Sequence, residues 1–587
     1  MGEAMADTSR RSRFLRVLAA VALLPALAAG LVAQGAGDPT AAHAKKKKKR
    51  DPNVVVILTD DMDVTEMRIM DEVNSEIGDR GVTFANSFVN WAVCCPSRAT
   101  LLTGQYAQNH DVRGNSANQG GGFANFNNNN TLALWLRDAG YHTTHIGKFL
   151  NGYGGAGSGA SFVPPGWSEW YAGTDGTTHT VFNYTLNENG NLVEYGDDVS
   201  EFKQDVLTEK AVDLIERRAP AKKPFFLHLS YTASHSGGPN PNPNPPTNEC
   251  AGTAKPAPRH ADVFDSEPLP QPPNFNEADM SDKPESLATN PPLTAGDIAD
   301  ITRNYRCRLG SLLSVDEGVG EIMDALRASG ELKNTLVIFT SDNGFFHGEH
   351  RVKQGKTRLY EPSIRVPYAM RGPGVPKSGK AVRDLIINAD TATTIVDAAN
   401  AKARLPMDGR SLFRAAKRPR KVTGRTLMLD TAGYKAVRTQ RFIYAEHDAG
   451  EVEMYDLVND PYELESVHDD GAYNKERSRL ARLLDEFRRC SGRECARGPN
   501  VKLKLTPDKT GQGCRPPRLK ATLGGGEKGA VTEAIFRGGG KRDRDRRKPF
   551  KFKLNAAGKG KVKIKATIEL RDGRVDNTFK RKTKVCG

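Results

Sequence analysis

Two pairs of hard oxygen donors stand where apolar strands end. Val54-Val55-Val56-Ile57-Leu58 runs into Thr59-Asp60-Asp61, and Leu336 to Thr340 runs into Ser341-Asp342-Asn343-Gly344. In a parallel sheet, strands that run the same way deliver their C-terminal residues to one edge, where ligands bind. Three carboxylates and one amide carbonyl, with no cysteine or histidine cluster, suit Ca²⁺ or Mg²⁺ rather than zinc. Either pair alone is equally the mark of a loop or a helix cap. Both pairs in the same structural position point to a metal.

A third element can do chemistry of another kind. In Cys94-Cys95-Pro96-Ser97-Arg98-Ala99-Thr100-Leu101-Leu102-Thr103-Gly104, Pro96 and Ser97 favour a helix start. Cys94 then sits at a helix N-terminus beside Arg98, where dipole and guanidinium both favour an anion. Electrostatics alone proposes an activated thiolate. Adjacent cysteines rarely bond each other, so Cys94 and Cys95 are expected to be free or to serve a structural purpose.

These residues need a scaffold, and the rest of the chain describes one. Val54 to Leu58 is a continuous β-branched run, as in a strand buried on both faces. A helical pattern covers 65–81, a helix 131–139, a short strand 142–146, a strand 225–231, an amphipathic helix 315–326 and a strand 336–340. Strands alternating with helices predict an α/β fold, with a mostly parallel central sheet and helices on both faces. Gly/Asn-rich 115–130, Gly-rich 150–160 and Pro/Asn-rich 237–273 read as surface loops that shape a site. Strand-like 442–445 and 454–457, then a helix at 475–489, predict a small C-terminal α+β subdomain. Val501-Lys502-Leu503-Lys504-Leu505 and Lys561-Val562-Lys563-Ile564-Lys565 alternate apolar with basic. That is the pattern of strands with one buried face, and it predicts an appended basic β-sandwich.

Charge divides the chain in the same way. The 587 residues carry a formal +15, yet residues 501–587 alone carry 26 Lys/Arg against 8 Asp/Glu. An acidic main body is thus joined to a cationic end, which suggests an anionic contact there. With 38% hydrophobic and 26% charged residues, the composition excludes a multi-span membrane protein, a coiled coil and a wholly disordered chain. Arg10, Arg11, Arg13 and Arg16 precede the apolar run Val17 to Val32, and Ala42-His43-Ala44 follows it. This is a signal peptide, cleaved near Ala44, for secretion, cell-surface or periplasmic delivery. Sec and twin-arginine routes both stay open. Pro25 and the shortness of the run argue against a stable membrane span. Export permits disulfides. Cys514 and Cys586 lie near the two ends of the last domain and would staple it, Cys490 and Cys495 flank a short turn that a bond could close, and Cys250 with Cys307 is only weakly argued by the residues, so the connectivity stays open.

The motif from Cys94 to Gly104 resembles the sulfatase family. Cys-x-Pro-Ser-Arg-x-x-x-Leu-Thr-Gly is that family's signal for conversion of the first cysteine to formylglycine. The closest resemblance is to N-acetylglucosamine-6-sulfatases and heparan endosulfatases. It is carried also by Pro52-Asn53-Val54-Val55, Gly147-Lys148-Phe149-Leu150-Asn151, Pro165-Gly166-Trp167, Thr340 to Gly344, Lys356 to Glu361 and Arg365-Val366-Pro367, over about residues 52–470.

The resemblance implies an alkaline-phosphatase-like fold and a maturation partner, the formylglycine-generating enzyme. It implies Asp60, Asp61, Asp342, Asn343 and residue 94 as metal ligands, with Ca²⁺ or Mg²⁺ bound. It implies hydrolysis of sulfate monoesters of a sulfated sugar or glycan, best an N-acetylglucosamine 6-sulfate. A hydroxyl of the hydrated aldehyde attacks sulfur, the alcohol leaves, and the second hydroxyl expels sulfate. Arg98 and Lys148 would stabilise the nucleophile, Lys356 would hold a sulfate oxygen, and His235 would protonate the leaving group. Many sulfatases have Lys-x-His where this chain has Lys148-Phe149-Leu150. The base for the second step is therefore open, with His347 and His145 as candidates.

The expected layout is a signal peptide over 1–44, a basic tether over 45–51, a catalytic domain over 52–424, an α+β subdomain over 425–498 and the basic β-sandwich over 499–587. Two other functions fit the same residues: a phosphonate or phosphate monoester hydrolase of this superfamily, and a non-catalytic glycan- or polyanion-binding protein. Residues 500–587 could contact an anionic cell surface or glycan, or simply guard sheet edges. Nucleic acid is not an expected partner.

Overall fold

The structure, a computed structural model, describes residues 50–155, 157–219, 223–237, 250, 252–507, 509–510, 513–557 and 560–586. The expected signal peptide and most of the tether lie outside the described residues.

A ten-stranded mixed sheet organises the chain. Its strands are β1 (Asn53–Thr59), β2 (Val82–Phe84), β3 (His142–Gly147), β4 (Glu169–Gly173), β5 (Tyr184–Glu188), β6 (Asn191–Tyr195), β7 (Phe225–Ser230), β8 (Thr335–Ser341), β9 (Tyr368–Arg371) and β10 (Lys380–Val382). They lie in the order β10-β2-β9-β8-β1-β7-β3-β4-β5-β6. The middle five, β8-β1-β7-β3-β4, are all parallel. Every residue of β1 is buried. Val54, Val56 and Leu58 pack on one side, with helices α1 (Cys94–Thr103), α2 (Leu132–Asp138) and α5 (Ala389–Ala398). Val55 and Ile57 pack on the other, with α3 (Lys203–Arg218) and α4 (Ala295–Ala328). The apolar run is continuous because both faces are covered, and each such side chain contributes about 1.5–3 kcal/mol of burial.

The expected helix over 65–81 is broken. A 3₁₀ segment, Val64–Ile69, starts in a capping box between Asp63 and Glu66. A π-helical segment, Val73–Gly78, follows. The Asp316 carboxylate accepts from the amides of Glu72 and Val73 at 2.9 and 3.0 Å, so the second segment is started by a tertiary contact. The helix expected at 315–326 is much longer. It begins at a capping box of Thr294 with Asp297 and runs to Ala328.

Beyond the large sheet, β11 (Leu427–Thr431), β12 (Tyr434–Arg438), β13 (Phe442–His447) and β14 (Val452–Asp456) form an antiparallel meander. Helix α6 (Asn474–Phe487) packs on it through Leu480, Leu483, Leu484 and Phe487. The last residues form two antiparallel sheets around one core. One is β15 (Lys502–Thr506), β16 (Arg518–Gly524) and β19 (Lys551–Asn555). The other, in order β18-β17-β20-β21, is made of β17 (Val531–Gly538), β18 (Lys541–Asp545), β20 (Lys561–Leu570) and β21 (Val575–Lys584). The structure settles the connectivity that the sequence left open: Cys250–Cys307, Cys490–Cys495 and Cys514–Cys586 are bonded, and Cys94 and Cys95 are free and buried. Among the described residues, no helix is long and apolar enough to cross a membrane.

A buried ion pair ties α5 to the segment entering the meander. Arg425 donates to both carboxylate oxygens of Asp390 at 2.5 and 2.9 Å, and the amides of Arg410 and Ile387 complete that carboxylate. Arg425→Met leaves Asp390 charged and underpaired, so it should lower stability by about 3–5 kcal/mol. Chemical denaturation followed by near-UV circular dichroism measures this; an unchanged midpoint would deny the pair its structural role.

Candidate active site

Four neighbouring parallel strands, β8, β1, β7 and β3, end at the same edge, and each delivers part of the site. Register decides which residues meet. Leu58 pairs with Thr340 and Thr59 with Ser341, so Asp60-Asp61 and Asp342-Asn343 leave the sheet side by side. The Asp342 amide donates to Thr59 O at 3.2 Å, and the Asp61 amide donates to Asp342 Oδ1 at 3.0 Å. Asp61 has φ +67°, a left-handed conformation uncommon outside Gly, Asn and Asp. Arg308 holds it there by donating to its carbonyl at 2.5 Å. After β3, Gly147 lies so close to Ser230 that a Cβ would sit 2.0 Å from the Ser230 carbonyl oxygen, and its φ is +102°. That approach lets the Lys148 amide bond Ser230 O at 2.9 Å and brings the Lys148 ammonium to Asp60, 2.5 Å from Oδ2.

Helix α1 brings residues 94–98 to the same edge. Val93 is its N-cap and offers no side-chain acceptor, so Asn115 Oδ1 takes the Cys95 amide at 2.9 Å. Pro96 lies in the first turn, where its missing N–H is no loss. Gly104 closes the helix at φ +69°, which is why the motif ends in glycine. Cys94 Sγ is 3.5 Å from Asp60 Oδ1 and accepts from Lys356 Nζ at 3.0 Å. Arg98 is fully buried. Its Nε donates to Asp342 Oδ2 at 2.7 Å, and its Nη1 donates to Ser230 Oγ at 2.7 Å and Lys148 O at 2.8 Å. Cys95 faces away, with Sγ accepting from the Asn151 amide at 3.0 Å. It ties α1 to the loop after β3, a structural task.

Three buried carboxylates face three cations, and the titration of each group follows. Burial alone would raise Asp60, but Lys148, His235, Arg98 and Lys356 hold it well below the usual carboxylate range. Burial also acts on Asp61, and Lys356 and His235 bring it below its ordinary value. Asp342 stays raised, by burial and by the charge of Asp60, against Arg98. Lys356 pairs with Asp61 and is held well above its ordinary value. Cys94 departs from the expectation of a thiolate. Burial pushes its thiol up to about 12 despite Lys148 and Lys356, since Asp60 and Asp342 oppose the anion. As cysteine, residue 94 is a protonated thiol at neutral pH and a poor nucleophile.

The donor set suits a hard cation. Ligand atoms of Asp60, Asp61, Cys94 and His235 lie within 4.8 Å of one another. Asn343 Nδ2 donates to Asp61 Oδ1 at 2.7 Å, while its buried Oδ1 has no hydrogen-bond partner among the described residues. An unsatisfied carbonyl oxygen beside three carboxylates fits an oxygen-seeking divalent ion.

His235 stands at the rim. Its Nδ1 donates to Ser236 O at 2.7 Å, which leaves Nε2 facing the cluster, 3.7 Å from Asp61 Oδ2. Burial lowers its pKa, against Asp60 and Asp61. The two candidate bases are not brought to the cluster. The His347 ring lies against Tyr305 and Phe345, with Nε2 3.6 Å from Glu66 Oε1. His145 Nδ1 is 2.9 Å from His228 Nδ1, and its ring packs among Phe149, Trp167 and Trp170.

Two features escaped the sequence reading. His179 stacks on His235 with ring centroids 4.2 Å apart. Buried Arg308 bonds Glu66 at 2.8 Å and Ser234 O at 2.9 Å, fixing the turn that carries His235. A signal for Arg308 existed: it lies on the apolar stripe Ile301, Tyr305, Leu312, Val315, Val319 of α4. Nothing in the sequence marked His179.

Comparison with known proteins decides the family. The sulfatase family model matches residues 52–401, and the model for the C-terminal part of N-sulphoglucosamine sulphohydrolase matches 348–490. The chain belongs to the sulfatase family. N-acetylglucosamine-6-sulfatase of Capra hircus is 31% identical over 78% of this chain and 86% of its own length. A Caenorhabditis elegans protein named as an extracellular sulfatase Sulf-1 homolog is 34% identical over 62% of this chain, which spans about half, 48%, of that relative's length. Among solved structures, a protein in complex with its substrate D-glucosamine-2-N,6-O-disulfate superposes with TM-score 0.59 at 23% identity, over 75% of this chain and 97% of that one. The phosphonate monoester hydrolase of Agrobacterium radiobacter superposes with TM-score 0.52 at 21% identity, over 74% and 95%. At such identities the likeness is one of fold.

Metal binding to the native state should raise the unfolding temperature, by about 2.7 kcal/mol of stability at a hundredfold excess over Kd. Differential scanning fluorimetry should show this shift with Ca²⁺ or Mg²⁺ after chelation, and its loss in Asp61→Asn and Asn343→Leu. A melting curve indifferent to both ions would contradict the reading of the cluster.

Proposed function

We propose that the protein is an exported sulfatase that removes sulfate from a sulfated sugar, an N-acetylglucosamine 6-sulfate or a glycan bearing it. The observation that carries this is the setting of residue 94: first residue of α1, touching Lys356 and Asp60, within a formylglycine-type motif. Cys94 Sγ stands where the hydroxyls of a hydrated formylglycine would lie. The protonated thiol favours the modified residue as nucleophile over the cysteine itself.

When bound, Ca²⁺ or Mg²⁺, held by Asp60, Asp61, Asp342, Asn343 and residue 94, supplies positive charge to sulfate oxygens and to the nucleophile. Arg98, anchored on Asp342, Ser230 and Lys148, is a fixed cation behind residue 94. Lys148 steadies Asp60 and adds charge on the same side. Lys356 is less buried than either and reaches Cys94 from the solvent side, so it is placed to take a sulfate oxygen. His235 holds a proton on Nδ1 against Ser236 O. Its Nε2 is the position that gains a proton and gives it to the departing alcohol. The substrate preference is supported by the relatives named for N-acetylglucosamine 6-sulfate.

Mass spectrometry of the peptide containing residue 94, from protein co-produced with a formylglycine-generating enzyme, should show formylglycine, and Cys94→Ala should release no sulfate. Unmodified cysteine at full occupancy with no sulfate release would remove this function. Faster turnover of an aryl phosphonate than of the matched aryl sulfate would assign the site to the phosphonate hydrolase reading. His235→Ala should slow release of a sugar alcohol by about 10²–10⁴-fold, yet barely affect 4-nitrophenyl sulfate, whose leaving group needs no proton. Equal losses on both substrates would deny His235 the role of acid.

A further inference from the structure

The four-stranded sheet β18-β17-β20-β21 carries an arrangement of charge that a fold would not choose for stability. Arg542 on β18 lies directly opposite Arg537 on β17, Arg537 opposite Lys565 on β20, and Lys565 opposite Lys580 on β21. One row of four cations thus crosses the whole sheet. A second row pairs Lys563 with Lys582. Directly paired residues share a face, and all six are exposed. Val562, Ile564 and Ala566 between them point into the core. Among the described residues, none of the six has an acidic partner within ion-pair distance. Lys563 is held below the ordinary lysine value, by Lys565 first and by Lys580 and Lys582.

Like charges placed directly opposite destabilise a sheet. Guarding an edge does not account for them. Edge protection puts charge on edge strands, which here are β18 and β21, whereas Arg537 and Lys565 sit on the two interior strands. The other sheet opposes one such pair, Lys520 on β16 against Lys553 on β19, but no row of cations crosses it: Thr506 on β15 faces Lys520, and Thr522 stands between Lys504 and Lys551.

We infer that this face is a binding surface for a linear sulfated polysaccharide, separate from the active site. Strand spacing of about 4.8 Å and a repeat of about 6.8 Å along each strand set the cations on a lattice that a flexible polyanion can track. The large hydrophobic residues exposed on the described surface are Phe162, Leu192, Val199, Val263, Val458 and Tyr462, and none belongs to these two sheets. The face therefore lacks the apolar anchors of a membrane-surface site and the aromatic platforms of a single-strand nucleic acid site. The choice of a sulfated chain among polyanions rests on the proposed sulfatase activity. The surface would keep the enzyme on a polymer that also offers substrate.

The test uses the full chain and heparin as probe, by titration calorimetry at 150 mM NaCl. Arg537→Gln/Arg542→Gln/Lys565→Gln/Lys580→Gln should weaken binding by about tenfold or more, a factor of about two for each exposed ionic contact. Lys502→Gln/Lys504→Gln/Lys551→Gln/Lys553→Gln removes the same charge from the other sheet and should weaken it far less. Hydrolysis of 4-nitrophenyl sulfate should be unchanged in both, so a failure of this inference is separable from a failure of the sulfatase reading. Equal losses in the two variants, or none in the first, would overturn the surface. Tighter binding of phosphatidylglycerol vesicles or duplex DNA than of heparin would overturn the choice of ligand.

Discussion

Three carboxylates cannot share a buried sheet edge as anions without compensation, and the site is organised by that constraint. Parallel pairing of β1 with β8 sets Asp60, Asp61 and Asp342 together as the register requires. Arg98, Lys148 and Lys356 are then each held against one of them. At such burial an unpaired charge would be strongly unfavourable, so the cations are conditions of the fold as well as of chemistry. At this edge Asn343 Oδ1 has no hydrogen-bond partner among the described residues.

The same constraint explains the character of residue 94. A cysteine at a helix N-terminus between two lysines looks activated. The nearby carboxylates and complete burial reverse that, and the thiol stays protonated. Burial, with the charges of Asp60 and Asp342, outweighs Lys148 and Lys356 at this sulfur. Support behind the site is similarly coupled. Arg308, deep in α4, joins Glu66, the Asp61 carbonyl and the turn carrying His235, so one guanidinium positions both a carboxylate and the proposed acid.

The cationic sandwich follows other rules. Its core alternates with period two, as any half-buried sheet does. The rows of cations across interior strands are a feature of the surface, visible only once pairing is known.

Much of this was legible in the residues. The β-branched run of β1, the Asp pairs at strand ends and the Cys94 to Gly104 motif are local patterns, and hydrophobic period or motif spacing reports them directly; the cysteine connectivity, which spans up to 72 residues, needed the structure. Helix ends were less legible: Asp316, more than two hundred residues away in sequence, starts the segment at Val73. The partners of His347 and His145, the stack of His179 on His235 and the Glu66–Arg308 pair came only from the tertiary structure. A sequence states which groups each element carries and on which face. Which charges then meet depends on register and packing between elements far apart in the chain, and those are fixed by the burial of all of them at once.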